Sequence, residues 1–431
     1  MDLLGLRCCA TRNVRALATV VAVLFAALLA SAELEGAERN AVPIKVLAPR
    51  HLPGMDIAAV RTPLGLPNDY KPWLARLPDG QLLMVAFCFG GEPSNELPAG
   101  TPYLERAVFW RSDDGGRTWG SREERPDVHG REFALNVLAD GTLIMPCHFL
   151  GVDAANDAGY TYSKVFRSAD QGRTWSETRI GPKGFPKGAN TASDWTVVEI
   201  PDPELAKKTY VLLGVSMQHG GTHASQSVHW WKSTNSGRDW VVGWQPDTDR
   251  WSDVDGFFSQ SVTHRLNSGD LLHVVRVDRT GPHWRLSGID EKIVETGDQG
   301  DRMMLWRSTD GGYTFRRQGG HGNFGSYGEM YPRFLKLDDG RLLLTFTVRS
   351  NSSDGYALGL RAIGSSDDGA TWDFRHDRIV IDYQNQGASG GGFGNTVQLE
   401  GGALVSCYSY RGADGKTHIE AVRWRLPVAK R

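Results

Sequence analysis

The chain lacks an excess of charge: 48 basic against 50 acidic residues give a formal net charge of −2. No long Lys/Arg run supplies the field that holds a polyphosphate backbone, so no nucleic-acid partner is expected. Cysteine is scarce, at five in 431 residues. Cys8 and Cys9 fall in an N-terminal leader, and Cys88, Cys147 and Cys407 form an odd trio without C-x-x-C spacing. They make neither a disulfide framework nor a zinc site, and each ends an apolar run as a small buried hydrophobe. His219, His223 and His229 lack the spacing of a helical zinc site, so neither metal nor cofactor is expected. After the leader no apolar run is long enough to span a bilayer.

The leader itself joins Arg7, Arg12 and Arg15 to an apolar run from Ala16 to Ala30 and to Ala30-Ser31-Ala32 before Glu33. This reads as a secretory signal peptide over 1–32, cleaved near Ala32/Glu33, ahead of a single domain over 33–431 in a secreted or periplasmic protein. Asn351-Ser352-Ser353 would then be a glycosylation sequon. What the chain has in abundance is Gly, at 51, and Trp, at 14, both dispersed. That pattern suits a β-rich fold with many tight turns and aromatic corners.

One pattern, S-x-D-x-G-x-T-W, recurs as SDDGGRTW from Ser112, SADQGRTW from Ser168 and SSDDGATW from Ser365. Degenerate copies are STNSGRDW from Ser233 and STDGGYTF from Ser308. Its chemistry is that of a turn clamp: the Asp bonds amides of its own turn, the Gly permits positive φ, and the aromatic covers the hairpin. A second repeat sets an apolar strand, a short turn and another apolar strand in series, as in WLARLPDGQLLMVAF and FLKLDDGRLLLTF. Six such hairpins, one with a longer turn around Pro201 to Lys208, combine with the strands flanking the clamps into six four-stranded blades. The expected fold class is all-β, a six-bladed β-propeller. The last blade has no clamp, and Val42 to Pro49 is the candidate strand that closes the ring by completing it.

In a radially repeated fold, equal register means equal radius. Six residues before the Leu or Ile that precedes each hairpin turn stand Lys71, Glu132, Asp194, Gln260, Tyr331 and Phe393. They are expected to ring one face around the axis, joined by His148, Arg276, Arg349 and the Tyr408/Tyr410 pair from second-strand ends. Glu132 and Asp194, in adjacent blades, are the candidate carboxyl pair for acid, base or nucleophile chemistry.

The clamp resembles the Asp-box, or bacterial neuraminidase repeat, of the sialidase superfamily, over most of the chain from about Tyr70 onward. The resemblance implies a sialidase-like exo-glycosidase acting on a terminal acidic sugar of glycans. It also implies three arginines on the substrate carboxylate, a Tyr/Glu pair as nucleophile and an Asp as acid/base, the last in the region after the first hairpin, where Glu92 and Glu96 are rival acids. Arg276 matches the second arginine, and Arg349 or Arg333 the third. The first, in an R-I-P motif, is replaced by Tyr70-Lys71-Pro72, the glutamate by Gln260, and the nucleophilic tyrosine, in GFGNTVQL, by Phe393. Phenylalanine cannot attack an anomeric carbon and glutamine cannot take a phenol's proton, so Tyr331 or Tyr410 would have to supply the phenol. Lys71, Arg276, Arg333 and Arg349 still suit a sugar carboxylate, sialate or uronate. Two other classes stay open: a polysaccharide lyase in which Tyr331 or His148 abstracts the proton beside a uronate carboxylate, and a non-catalytic carbohydrate-binding propeller.

Overall fold

Apolar runs bounded by turn residues become the middle strands of six sheets, because a strand covered on both faces is stable only when nearly every side chain is apolar. Leu82–Phe89, Leu143–Phe149 and Leu342–Val348 are buried almost throughout. The computed structural model describes residues 42–54, 56–89, 101–180, 190–202, 209–218, 228–248, 257–278, 301–318, 324–326, 328–349, 358–382 and 391–427. The leader, Glu92, Glu96, His219, His223 and the Asn351 sequon lie outside them. Among the described residues no helix is long and apolar enough to cross a membrane.

The first blade contains Tyr70–Arg76, Leu82–Phe89, Glu105–Ser112 and Glu123–His129, each antiparallel to the next. The second spans Asn136–Val137 to Ser176–Ile180 and the third Asn190–Pro201 to Val241–Val242 in the same order. The fourth runs from Phe257–Arg265 to Thr314–Arg317, with Asp247–Thr248 added outside it in parallel. The fifth runs from Glu329–Lys336 to Arg378–Val380, and the sixth from Thr396–Gln398 to Thr417–Arg425. Side chains tie neighbouring innermost strands together. Trp73 donates to Leu135 O at 2.9 Å, Asn136 to Trp195 O at 3.0 Å, Thr196 to Thr263 O at 2.7 Å, and Asn395 to Leu74 O at 2.8 Å.

The ring closes differently from the expectation. Ile44–Leu47 pairs with Arg378–Val380 and extends the fifth blade, followed by Asp56–Ile57. The strand that completes the sixth blade is Val60–Leu64, against Thr417–Arg425. The reason lies in Arg61, which is 3% exposed. Its guanidinium donates to Tyr408 Oη at 2.6 Å and Glu420 Oε2 at 3.0 Å in the sixth blade and to Ile381 O at 2.7 Å in the fifth. Pro63 is tolerated because this strand is an edge.

The clamps form as the sequence predicts. Asp114 accepts from the Arg117 and Thr118 amides and from Ser112 Oγ, all at 2.9 Å, and from Thr118 Oγ1 at 2.6 Å. Ser112 Oγ in turn accepts from Gly116 N at 2.9 Å, where φ is 80° and glycine is needed. Asp170 and Asp310 repeat this set, and Asp367 repeats it except that Ala370 N donates to its backbone carbonyl at 3.2 Å. In the copy at Ser233, Asn235 replaces the Asp and Asp239 the Thr. Asn235 Nδ2 donates to Asp239 Oδ2 at 2.7 Å, so donor and acceptor have exchanged places with the bond intact. Ser112 pairs with Leu82 and Tyr70 with Phe87, which puts clamps and strand starts at opposite ends of the blade.

Burial raises the Asp114 carboxyl, but the Thr118 hydroxyl and amide, with Ser112 and Arg117, outweigh it and hold the group at about 2. A carboxyl lowered in the folded state stabilises fully above its unfolded value of roughly 4 and loses that contribution as pH falls toward 2. Asp114→Ala is therefore expected to cost about 1 kcal/mol at pH 7 by denaturant midpoint. The gap to wild type should narrow between pH 4 and 2, and a gap independent of pH would refute the clamp's charged role.

Candidate active site

Four innermost strands begin with a bulge, between Tyr70 and Trp73, Ser193 and Val197, Phe258 and Ser261, and Met330 and Arg333. An extra residue there re-aims its side chain. Lys71, Glu132 and Tyr331 take left-handed backbone at φ 50°, 59° and 56°. Such residues cost about 1–3 kcal/mol each and cluster where function holds them.

The strand starts meet in one network. Lys71 Nζ contacts Glu132 Oε1, and Gln260 Nε2 donates to Glu132 Oε2 at 2.6 Å. Gln260 Oε1 accepts from Arg276 Nη1 at 2.9 Å, and the same nitrogen contacts Tyr331 Oη. His148 Nδ1 lies 3.4 Å from Glu132 Oε2. The Tyr331 ring packs on Phe393 at 4.2 Å and stacks on Trp195 at 5.5 Å. Arg349 lies over Phe393 at 4.6 Å. Register thus brings together Lys71, Glu132, Gln260, Tyr331, Phe393, His148, Arg276 and Arg349.

Three expected residues, Asp194, Tyr408 and Tyr410, lie elsewhere, Tyr408 on Arg61 and Glu420, while Arg333 lines the same small cavity as Lys71 and Glu132. Asp194 accepts from Thr263 Oγ1 at 2.8 Å and contacts Ser261 Oγ, both on the fourth blade's first strand, and is 1% exposed. A Cβ on Gly214 would come within 2.5 Å of its carboxylate, which is how tightly the third blade wraps it. Asp194 is a staple between the third and fourth blades, not a partner of Glu132. Asp194→Ala is expected to lower stability by about 3 kcal/mol, the worth of bonds to a buried charged group, while turnover of the folded fraction holds. Unchanged stability with lost turnover would reverse that placement. Arg333 sits on the axis between two indoles, 3.5 Å from Trp195 and 4.4 Å from Trp73, and donates to Pro332 O at 2.6 Å. Tyr410 stacks on His418 at 5.5 Å, in a cleft between the first and last blades with Trp110 and Arg122.

Arg276 is at the centre but not as an open clamp. Its Nε and Nη2 donate to Asp301 Oδ2 at 3.1 and 2.6 Å, and its Nη1 serves Gln260 and Tyr331. A bidentate grip on a sugar carboxylate needs a free edge of the guanidinium, and both edges are engaged. Asp301 was not foreseen, yet a signal existed: it stands seven residues before Ser308 (308 − 301 = 7), as Glu105 does before Ser112 (112 − 105 = 7). Glu105 likewise holds an arginine, Arg131, whose Nε donates to it at 3.0 Å.

Electrostatics separates the groups. Burial works to raise Glu132, but Lys71, then His148 and Arg131, overcome it and hold the carboxyl well below the usual range. It is ionised at any working pH. Burial lowers His148, only partly offset by Glu132. Burial likewise lowers Arg333, opposed by the negative charge of Glu132. Among the described residues around the axis five cations, Lys71, Arg131, Arg276, Arg333 and Arg349, face three carboxylates, Glu105, Glu132 and Asp301. Lys71 keeps 12% of its side chain exposed and Glu132 6%, while Tyr331 is 2% exposed. A ligand on this face therefore meets Lys71 and Glu132 before the phenol. Lys71 and Glu132 line, with Trp73, Trp195, Arg333 and Phe393, a central cavity of about 10 Å³, room for about one water. Among the described residues no group of three or more His, Cys, Asp or Glu is placed to hold a metal ion.

No family model matches the chain, and no curated protein matches it in sequence. Solved structures do. A protein of unknown function from Dyadobacter fermentans is 18% identical with a TM-score of 0.58, covering 89% of this chain and 98% of its own. The GH93 α-L-arabinofuranosidase of Fusarium graminearum, in complex with arabinobiose, is 16% identical with a TM-score of 0.53, covering 89% and 98%. The intramolecular trans-sialidase of Ruminococcus gnavus, in complex with oseltamivir carboxylate, is 13% identical with a TM-score of 0.53, covering 82% and 94%. The likeness establishes a shared six-bladed propeller fold.

Proposed function

We propose that the chain is a glycoside hydrolase that seats a terminal acidic sugar over Lys71 and Glu132. The observation that carries this reading is Glu132, a nearly buried carboxylate kept ionised by Lys71 at the centre of the ring. Glycoside hydrolysis needs one carboxyl ionised, as base or nucleophile, and another that gives its proton to the leaving oxygen. Glu132 takes the first role, and Glu92 and Glu96 are the candidates for the second. The surplus of cations over carboxylates supports a sialate or uronate, with Lys71 and Arg349 as its contacts and Arg276 and Gln260 as the frame around Glu132. The narrow centre, closed by Arg333 against Trp73 and Trp195, supports an exo mode, because it leaves no passage for a chain to thread. Glycosidases among the structural neighbours support the reaction class, and the leader supports action outside the cytoplasm.

A lyase reading draws on one contact, that of Arg276 with Tyr331, since a phenol beside a guanidinium suits proton abstraction next to a carboxylate. The test is a panel of aryl glycosides of sialic acid, uronic acids and neutral sugars, together with uronate polysaccharides. Release of the acidic sugar without near-ultraviolet absorbance is expected. Rising absorbance would select the lyase, binding without turnover a non-catalytic propeller, and faster turnover of neutral glycosides would remove the acidic sugar.

A further inference from the structure

Lys71 sits in an aromatic half-cage, its Nζ 4.0 Å from the Phe393 centroid, 5.2 Å from Tyr70 and 5.8 Å from Tyr331. Rings attract a cation but accept no strong hydrogen bond, so the ammonium turns to Glu132. A lysine, unlike an arginine, is a point charge on a flexible stem that can exchange one carboxylate for another. It is also the cation of this network with 12% of its side chain exposed.

We propose that Lys71 is a specificity gate: in the free site it clamps Glu132, and an anionic sugar group that takes Glu132's place on the ammonium releases that carboxylate for chemistry. Neutral sugars leave the clamp shut. The proposal rests on Glu132 being the working carboxylate, and it deepens that reading by making the substrate's own charge the trigger.

Among the described residues, the groups facing Glu132 show why none substitutes for Lys71. Arg131 is committed to Glu105 and Arg333 to its indoles and Pro332. Burial pushes His148 toward its neutral form, and Gln260 carries no charge. Once the ammonium turns away, burial acts on Glu132 with less opposition, and the carboxylate becomes the better base.

Lys71→Met keeps the stem and removes the charge. Its kcat/KM on neutral glycosides is expected to rise at least about tenfold, while on acidic glycosides KM rises at least about tenfold with kcat retained. A second measurement needs no turnover. Calorimetry of the wild-type chain with free glucuronate or N-acetylneuraminate, between pH 4 and 5 in buffers of different ionisation enthalpy, should show proton uptake on binding. Glu132→Gln should abolish that uptake. Binding without proton uptake, or a Lys71→Met variant no faster on neutral sugars, overturns the gate while leaving the hydrolase intact. Uptake without turnover of any glycoside would show the anion displacing Glu132 from Lys71 but would overturn both the gate and the hydrolase reading.

Discussion

Glu132→Gln is expected to lower kcat by about 10²- to 10⁴-fold while tightening, not weakening, the binding of an acidic sugar. The amide is close in shape to the carboxylate and can accept from Gln260 or Lys71, but it can neither take a proton nor attack an anomeric carbon. It also releases Lys71 from an ion pair, so the ammonium becomes available to the substrate at no cost of displacement. Steady-state kinetics with a sialate or uronate glycoside, and calorimetry with the free acid, measure the two halves separately. A variant that binds more weakly and keeps its kcat would show Glu132 to be a binding residue only, and the catalytic reading would fall.

Arg61→Met should cost about 3–5 kcal/mol of stability, because it strands the Glu420 carboxylate in a site where that residue is 0% exposed. Glu420 Oε2 also contacts Tyr408 Oη, so one arginine joins the closing strand to both the fifth and sixth blades. The double variant Arg61→Met/Glu420→Leu is expected to recover most of the loss, since an apolar pair of similar volume can replace a buried ion pair. Denaturant unfolding of the wild type and the two variants measures this. Equal losses in single and double variants would mean that the arginine's bond to the fifth blade, rather than its charge, closes the ring. Turnover per folded molecule should be unaffected, as Arg61 takes no part in the Lys71–Glu132 network.

The closing strand shows where local reading stops. Ile44–Leu47 has the alternating burial of an ordinary strand, whereas Val60–Leu64 carries an Arg and a Pro and looks like a loop. Its fitness for the sixth blade comes from partners at Tyr408 and Glu420, far along the chain, and no local pattern records them. Asp194 makes the same point from the other side. It shares the register of Lys71 and Glu132, yet Ser261 and Thr263 of the next blade and the bare backbone at Gly214 draw it between the blades. Register assigns a radius to a backbone position, and the bulge then decides where its side chain goes.

The sequence by itself determined the number of blades, the chemistry of the clamps and the set of strand starts from which the site is assembled. All of these are written in short-range periodicity, in turn residues and in apolar runs, where the cause and its effect lie within a few residues. Only the tertiary structure decided that Asp301 occupies Arg276, that Arg333 lies between Trp73 and Trp195, and that Lys71 is paired with Glu132. Those outcomes depend on which charges meet across blades once water has been excluded. A buried charge takes the partner that geometry brings within reach, and the order of residues along the chain does not state that distance.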